Sequence, residues 1–215
     1  MAPRKQPAPQ GTLVLLVRHG ETPTTGRILP GRAKGLHLSE AGQAQAEGVA
    51  ERLAVLPKID AVYASPLERT RETAKPIAAA RRLPVTVDRG LLEADIGEWT
   101  GMELKAAART PEWKAVHSYP SGFRFPGGES FPEMQQRMVG AVERLRRAHP
   151  GGVIVLVSHA DPIKAAVAHA LGTHLDLFQR IVISPCSVTA ITYGDAGPTV
   201  LSVNSVGDLR AVKPS

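Results

Sequence analysis

Cysteine is nearly absent from this 215-residue chain: Cys186 stands alone, so no intrachain disulfide can form. A chain of this length can bury one sizeable core without such a staple. The lone thiol fits a reducing compartment, and the cytoplasm is the expected location. Aromatic residues are scarce too, at 4%. That is too few for a base-stacking surface, and no basic run alternates with them. Nucleic acid is therefore not an expected partner, despite a formal charge of +6 and a pI near 9.8. Half of the positive excess lies at the ends: Arg4 and Lys5 carry two charges, and residues 205–215 net one more. What is left is a mild attraction for small anions.

Long apolar runs are missing as well. The longest are five or six residues, far short of a bilayer span, so no membrane partner is expected. The opening MAPRKQPAPQG lacks the apolar stretch of a secretory signal and reads as a disordered Pro-rich tail over residues 1–11. Residues 12–208 read as a single domain and 209–215 as a short C-terminal tail. There is no H-E-x-x-H, no C-x-x-C and no clustered carboxylates, so no metal and no cofactor are expected. G-x-S-x-G and G-x-x-x-x-G-K-[ST] are also lacking, which sets aside a serine hydrolase and a nucleotide-binding P-loop. Nothing in the sequence fixes the oligomeric state, and a dimer is not excluded.

What is present is an alternation of strand and helix patterns. Leu13–Val17 is a buried-type strand. Ser39 begins a helix to about Leu56, with Ala46, Val49, Ala50, Leu53 and Leu56 on its inner stripe. Residues 60–64 form a second strand, and Ser65 with Glu68 predicts a capping box whose helix buries Leu67, Thr70, Ala74, Ile77 and Ala78. Residues 83–87 form a third strand. Residues 93–128 are irregular, with one short helix near 102–109, and suit a pocket wall or lid. Ser130 and Glu133 predict a second capping box, for a helix to about His149 that buries Met134, Met138, Ala141, Val142 and Leu145. A strand at 151–157, a helix at 161–171 and a hairpin of 187–193 and 199–204 around GDAGP complete the pattern. Such alternation implies a three-layer α/β/α sandwich around a mostly parallel sheet, whose ligand crevice lies at the carboxyl ends of its strands.

Three strands end in chemically pointed residues: Arg18-His19, Ser65 leading to Arg69, and Ser158-His159. If these strands are neighbours, their ends converge. Taken singly, each has an ordinary structural explanation. Taken in order, strand-RHG, SPLER, LLE before GEWTG, and strand-SH resemble the histidine phosphatase superfamily, the phosphoglycerate mutase-like fold. The resemblance covers residues 12–206. It implies that His19 is the nucleophile, that Arg18, Arg69 and His159 hold the phosphate, and that Glu93 is the proton donor, with His159 part of the catalytic set. By the same resemblance Thr25, Arg27 and Glu129 become candidate substrate contacts. His37 stays open, and His117, His149, His169 and His174 read as structural or solvated.

Elementary chemistry agrees with these roles. A neutral imidazole is a good nucleophile near pH 7, and guanidinium forks match phosphate oxygens. A carboxyl beside a bound dianion has its pKa pushed upward, which suits a proton donor. Three positions depart from the common pattern. Thr25 replaces an asparagine, Ala160 a glycine, and GRAKGLHLSEAG lacks an aspartate; these bear on substrate choice. The expected activity is that of a phosphoric monoester hydrolase of the histidine acid phosphatase type, with a small-molecule phosphate ester as its partner. A phosphomutase using the same phosphohistidine and a non-catalytic anion-binding scaffold are the alternatives. Only residues 109–128 are available as the closed lid that a mutase needs.

Overall fold

The apolar run Leu13–Val17 forms the heart of strand β1 (Thr12–Arg18), and all five of its side chains are fully buried. The period of two sends Leu13, Leu15 and Val17 to one face of the sheet and Val14 and Leu16 to the other. A strand apolar on both sides must be covered on both sides, and it is. The structure, a computed structural model, describes residues 11–207, so the expected tails, apart from Gly11, and residue 208 of the expected domain lie outside the described residues.

The elements follow in the order α1 (Glu40–Leu53), β2 (Ala61–Ala64), α2 (Glu68–Ala79), β3 (Val85–Val87), α3 (Leu104–Ala107), α4 (Trp113–Ser118), α5 (Phe131–Ala148), β4 (Val153–Ser158), α6 (Ala160–Ala170), β5 (Val188–Gly194) and β6 (Gly197–Ser205). Six strands lie in the order β3-β2-β4-β1-β5-β6. The β3, β2, β4 and β1 strands run parallel, and β5 and β6 are antiparallel additions. Helices α1 and α2 cover one face and α5 and α6 the other, which is the expected three-layer sandwich. The three pointed strand ends belong to β2, β4 and β1, which are immediate neighbours.

Local signals act largely as the sequence predicts. Ser39 accepts from the Gly42 amide to start α1, and Ser130 and Glu133 form a full capping box on α5. The capping box expected at Ser65 does not form. Helix α2 starts at Glu68 behind Leu67, with no side chain capping it. The Ser65 hydroxyl is instead bonded to His159. The short helix expected at 102–109 is a single turn, and α4, which follows it, carries His117. The third strand is only Val85–Val87. Among the described residues no helix is long and apolar enough to cross a membrane.

Candidate active site

The site is assembled where β1, β4 and β2 run out. Parallel pairing puts Arg18 beside Ser158, so His19 and His159 leave adjacent strands at the same level. Their rings meet edge to face with centroids 5.2 Å apart. The chain can turn away after His19 because Gly20 lies against the first turn of α1. A Cβ on Gly20 would sit 2.5 Å from the Gly42 carbonyl oxygen, and one on Gly42 would sit 2.0 Å from that of Glu21. Both glycines are needed for this close approach. The Gly20 amide donates to Thr73 Oγ1, and Thr73 in turn donates to the Arg69 carbonyl, tying the β1 loop to α2.

His19 Nδ1 lies 2.7 Å from the Gly20 carbonyl oxygen. A carbonyl only accepts, so Nδ1 carries the proton and Nε2 is left with a free lone pair. Burial, and then the Arg69 charge, pulls the His19 pKa down to about 3, so the ring is neutral at physiological pH. His159 is fully buried and held well below the usual histidine range by the same two causes.

The two arginines enter from different elements. Arg18 Nη1 donates to the Ile183 carbonyl at 2.6 Å, and Arg69 Nη2 to the Gly31 carbonyl at 2.8 Å. Arg69 is fully buried, yet neither arginine lies within ion-pair distance of a carboxylate among the described residues. Arg18 Nε, Arg69 Nε and Nη1, and His159 Nδ1 are buried without a hydrogen-bond partner. Three unmet guanidinium donors and an unpartnered ring nitrogen on three neighbouring elements cost stability unless an anion meets them.

Glu93 closes the group. Its Oε2 lies 3.8 Å from His159 Nδ1, and its Oε1 accepts from the Ala94 amide at 2.9 Å. Burial, with the nearby Asp161 charge second, raises its pKa to about 7. The loop that carries it is pinned by side chains that the sequence did not single out. Arg32 donates through Nε to the Glu93 carbonyl and through its terminal nitrogens to Asp95 and Glu129. Arg137 donates to the carbonyls of Gly90, Leu92 and Glu93 and, at 2.6 Å, to Glu129. The one available hint is that Arg137 sits beside Met138 and one turn from Met134, at the edge of the apolar stripe of α5.

Arg18, His19, Arg69, Glu93 and His159 thus come together. The other candidates are engaged elsewhere. Thr25 Oγ1 accepts from the Thr22 amide at 2.9 Å, and Arg27 donates to the Pro23 carbonyl, so both brace the loop after His19. Glu129 Oε1 takes up Arg32, Arg137 and the Asp95 amide. His37 is exposed and paired with Glu72 at 2.5 Å, which raises its pKa. Among the described residues, no three His, Cys, Asp or Glu side chains are grouped as a metal ion would need.

Comparison with known proteins places the chain in a family. Residues 14–206 match the histidine phosphatase superfamily (branch 1). The bifunctional protein Rv2228c of Mycobacterium tuberculosis is 34% identical over 206 residues, which cover 92% of this chain but 55% of that protein. The chain therefore spans about half the length of that relative. Phosphoserine phosphatase 1 of Hydrogenobacter thermophilus is 32% identical over 204 residues, covering 89% of this chain and 91% of that one. A mutant phosphoserine phosphatase of Entamoeba histolytica, solved in complex with phosphoserine, superposes with a TM-score of 0.82 at 25% identity, over 94% of this chain and 100% of that one. With the match running from β1 to the end of β6, this chain belongs to the histidine phosphatase superfamily.

Proposed function

We propose that the protein is a metal-independent phosphomonoesterase that moves the phosphoryl group of a small phosphorylated metabolite onto His19 and then to water. The observation that carries this reading is the set of four buried nitrogens without a partner on Arg18, Arg69 and His159. They stand beside an imidazole with a free Nε2 and a carboxyl whose pKa is raised to about 7. Phosphoryl transfer needs little beyond positioning and charge, and fixed donors supply both.

In the first step His19 Nε2 attacks phosphorus, the P–O ester bond breaks, and protonated Glu93 gives its proton to the departing alkoxide. In the second step Glu93, now a carboxylate, takes a proton from water. The water oxygen attacks phosphorus, the P–N bond breaks, and inorganic phosphate leaves with the acid restored. Arg18, Arg69 and the His159 Nδ1–H hold the phosphoryl oxygens throughout.

Phosphoserine is the first substrate to try, because relatives of this chain bear the name phosphoserine phosphatase. Purified protein should release inorganic phosphate from phosphoserine or another metabolite ester and from an aryl phosphate, at a rate that EDTA does not lower. Transfer of the group to a second hydroxyl, with no phosphate released, would make the protein a mutase. The absence of any turnover between pH 5 and 8 would leave only an anion-binding scaffold.

A further inference from the structure

Ser65 closes β2 and was expected to cap α2, yet its hydroxyl turns the other way, to His159 Nε2 at 2.9 Å. Both side chains are fully buried. The backbone of Ser65 is fixed on both sides: its amide donates to the Val157 carbonyl at 3.0 Å, and its carbonyl accepts from Thr70 Oγ1 at 2.8 Å. The main chain that carries the hydroxyl is therefore held in place beside the ring.

The direction of this hydrogen bond follows from counting protons. A hydroxyl has one proton and a neutral imidazole has one N–H. If Ser65 accepted from an Nε2–H, its own proton would have no acceptor, since His159 Nε2 is its only hydrogen-bond partner among the described residues. His159 Nδ1 would then turn a bare lone pair toward the phosphate site, where an anion needs donors. If Ser65 donates, its proton is satisfied and Nδ1 must hold the N–H. Nδ1 is the ring atom that is buried without a partner, 3.8 Å from Glu93.

We infer that Ser65 is a positioning residue, which fixes neutral His159 in the Nδ1–H tautomer and so makes it a donor to the transferring phosphoryl group. The inference rests on the phosphatase reading for its consequence, but the tautomer itself can be observed without turnover. An imidazole in water prefers the Nε2–H form, so the hydroxyl works against that preference. The sheet supplies the geometry, since β2 and β4 are neighbours in which Ala64 pairs with Val157, and Ser65 lies one residue and His159 two residues beyond that pair.

The test combines a spectrum with kinetics on the full chain. Nitrogen-15 spectra of imidazole-labelled protein, with the His159 signals identified by their loss in His159→Asn, should show a protonated Nδ1 and an unprotonated Nε2. In Ser65→Ala the pattern should shift toward Nε2–H, and kcat for the hydrolysed ester should fall at least tenfold, with KM changed less than threefold. The asparagine of His159→Asn offers its own amide N–H whatever Ser65 does. Adding Ser65→Ala to that variant should therefore cost less than twofold. A wild-type ring protonated at Nε2 would overturn the inference, as would an equal Ser65→Ala loss in both backgrounds. If the protein hydrolyses no phosphate ester, the phosphatase reading fails, while the nitrogen-15 pattern still decides the tautomer.

Discussion

The two regions that meet at the site are built from different materials. The sheet and its helices are packed with Leu, Val, Ile and Ala, and Tyr193 is the one aromatic buried in their two clusters. The segment running from Leu92 to the start of α5 gathers the rings. Both tryptophans and all four phenylalanines lie in its cluster, with Trp99 stacked on Trp113 at 6.2 Å and edge-on to Phe125 at 5.5 Å. Regular strands can be covered by branched aliphatics at fixed spacing. An irregular backbone cannot, and large rings fill the uneven space it leaves. The division extends to the chemistry. In the proposed mechanism the sheet side supplies the nucleophile and every phosphate-holding donor, while the irregular segment supplies the proton donor, Glu93. One part holds and the other moves a proton.

The comparison is sharpest in the rates. His19→Ala removes the attacking nitrogen from the sheet side and should lower kcat by at least about a thousandfold for every ester, activated or not. Phosphate release from an aryl and an alkyl phosphate measures this. A residual rate within tenfold of wild type would remove His19 from the nucleophile role. Glu93→Gln should instead split the substrates. Alkyl esters need a proton on the leaving oxygen and should slow about a hundredfold or more, whereas activated aryl esters should slow less than tenfold. For the alkyl ester, wild-type kcat/KM should also fall as pH rises past about 7, where Glu93 loses its proton. The variant should lack that limb.

How far the sequence could be read follows the same division. Residues carried by strand ends were legible because a parallel sheet turns linear order into proximity. RHG, SPLER and VSH fall at one edge once their strands are neighbours. Arg69 could be told from Arg71 only through the family pattern, because a helical arginine has no signature of burial by itself. Ser65 misled because a serine before a proline and a glutamate satisfies every local rule for a cap. The winning contact, to His159, lies across the sheet and leaves no local trace. The network that supports Glu93 could not be read as such, since the sequence singled out Glu129 only as a substrate contact and Arg137 only borders an apolar stripe. Arg32, Glu129 and Arg137 are 97 and 8 residues apart, and no period governs the loop that joins them.

That supporting network offers a way to break the irregular side without touching a reacting group. Glu129 is only 15% exposed and balances Arg32 and Arg137. Glu129→Gln leaves two guanidiniums facing a neutral amide and should cost about 1–3 kcal/mol in urea unfolding. Because Arg32 and Arg137 also donate to the Glu93 carbonyl, the loop should loosen where the proton donor sits. The alkyl-ester rate should then fall about tenfold while the aryl-ester rate holds. Equal losses on both esters would mean that Glu129 also serves the phosphate-holding side.

The smallest effect is one of stability and has the opposite sign. Glu93 has a pKa of about 7 in the folded protein, against an ordinary value of 4.5. Below pH 4.5 the carboxyl is protonated folded or unfolded and contributes nothing. Between 4.5 and 7 the unfolded chain releases the proton and the folded chain keeps it, so stability falls as pH rises. Above 7 both forms are ionised and the full cost remains, on the order of 3 kcal/mol. Glutamine at this position never ionises. Glu93→Gln should therefore gain about 2 kcal/mol on wild type between pH 5 and pH 8, read from urea midpoints at the two values. His19 acts in the other window, losing stability as pH falls below its ordinary 6.5 toward 3, but it does so equally in both proteins and cancels from the difference. A flat difference between pH 5 and 8 would mean that Glu93 is ionised throughout, and a carboxylate already stripped of its proton has none to give a leaving group.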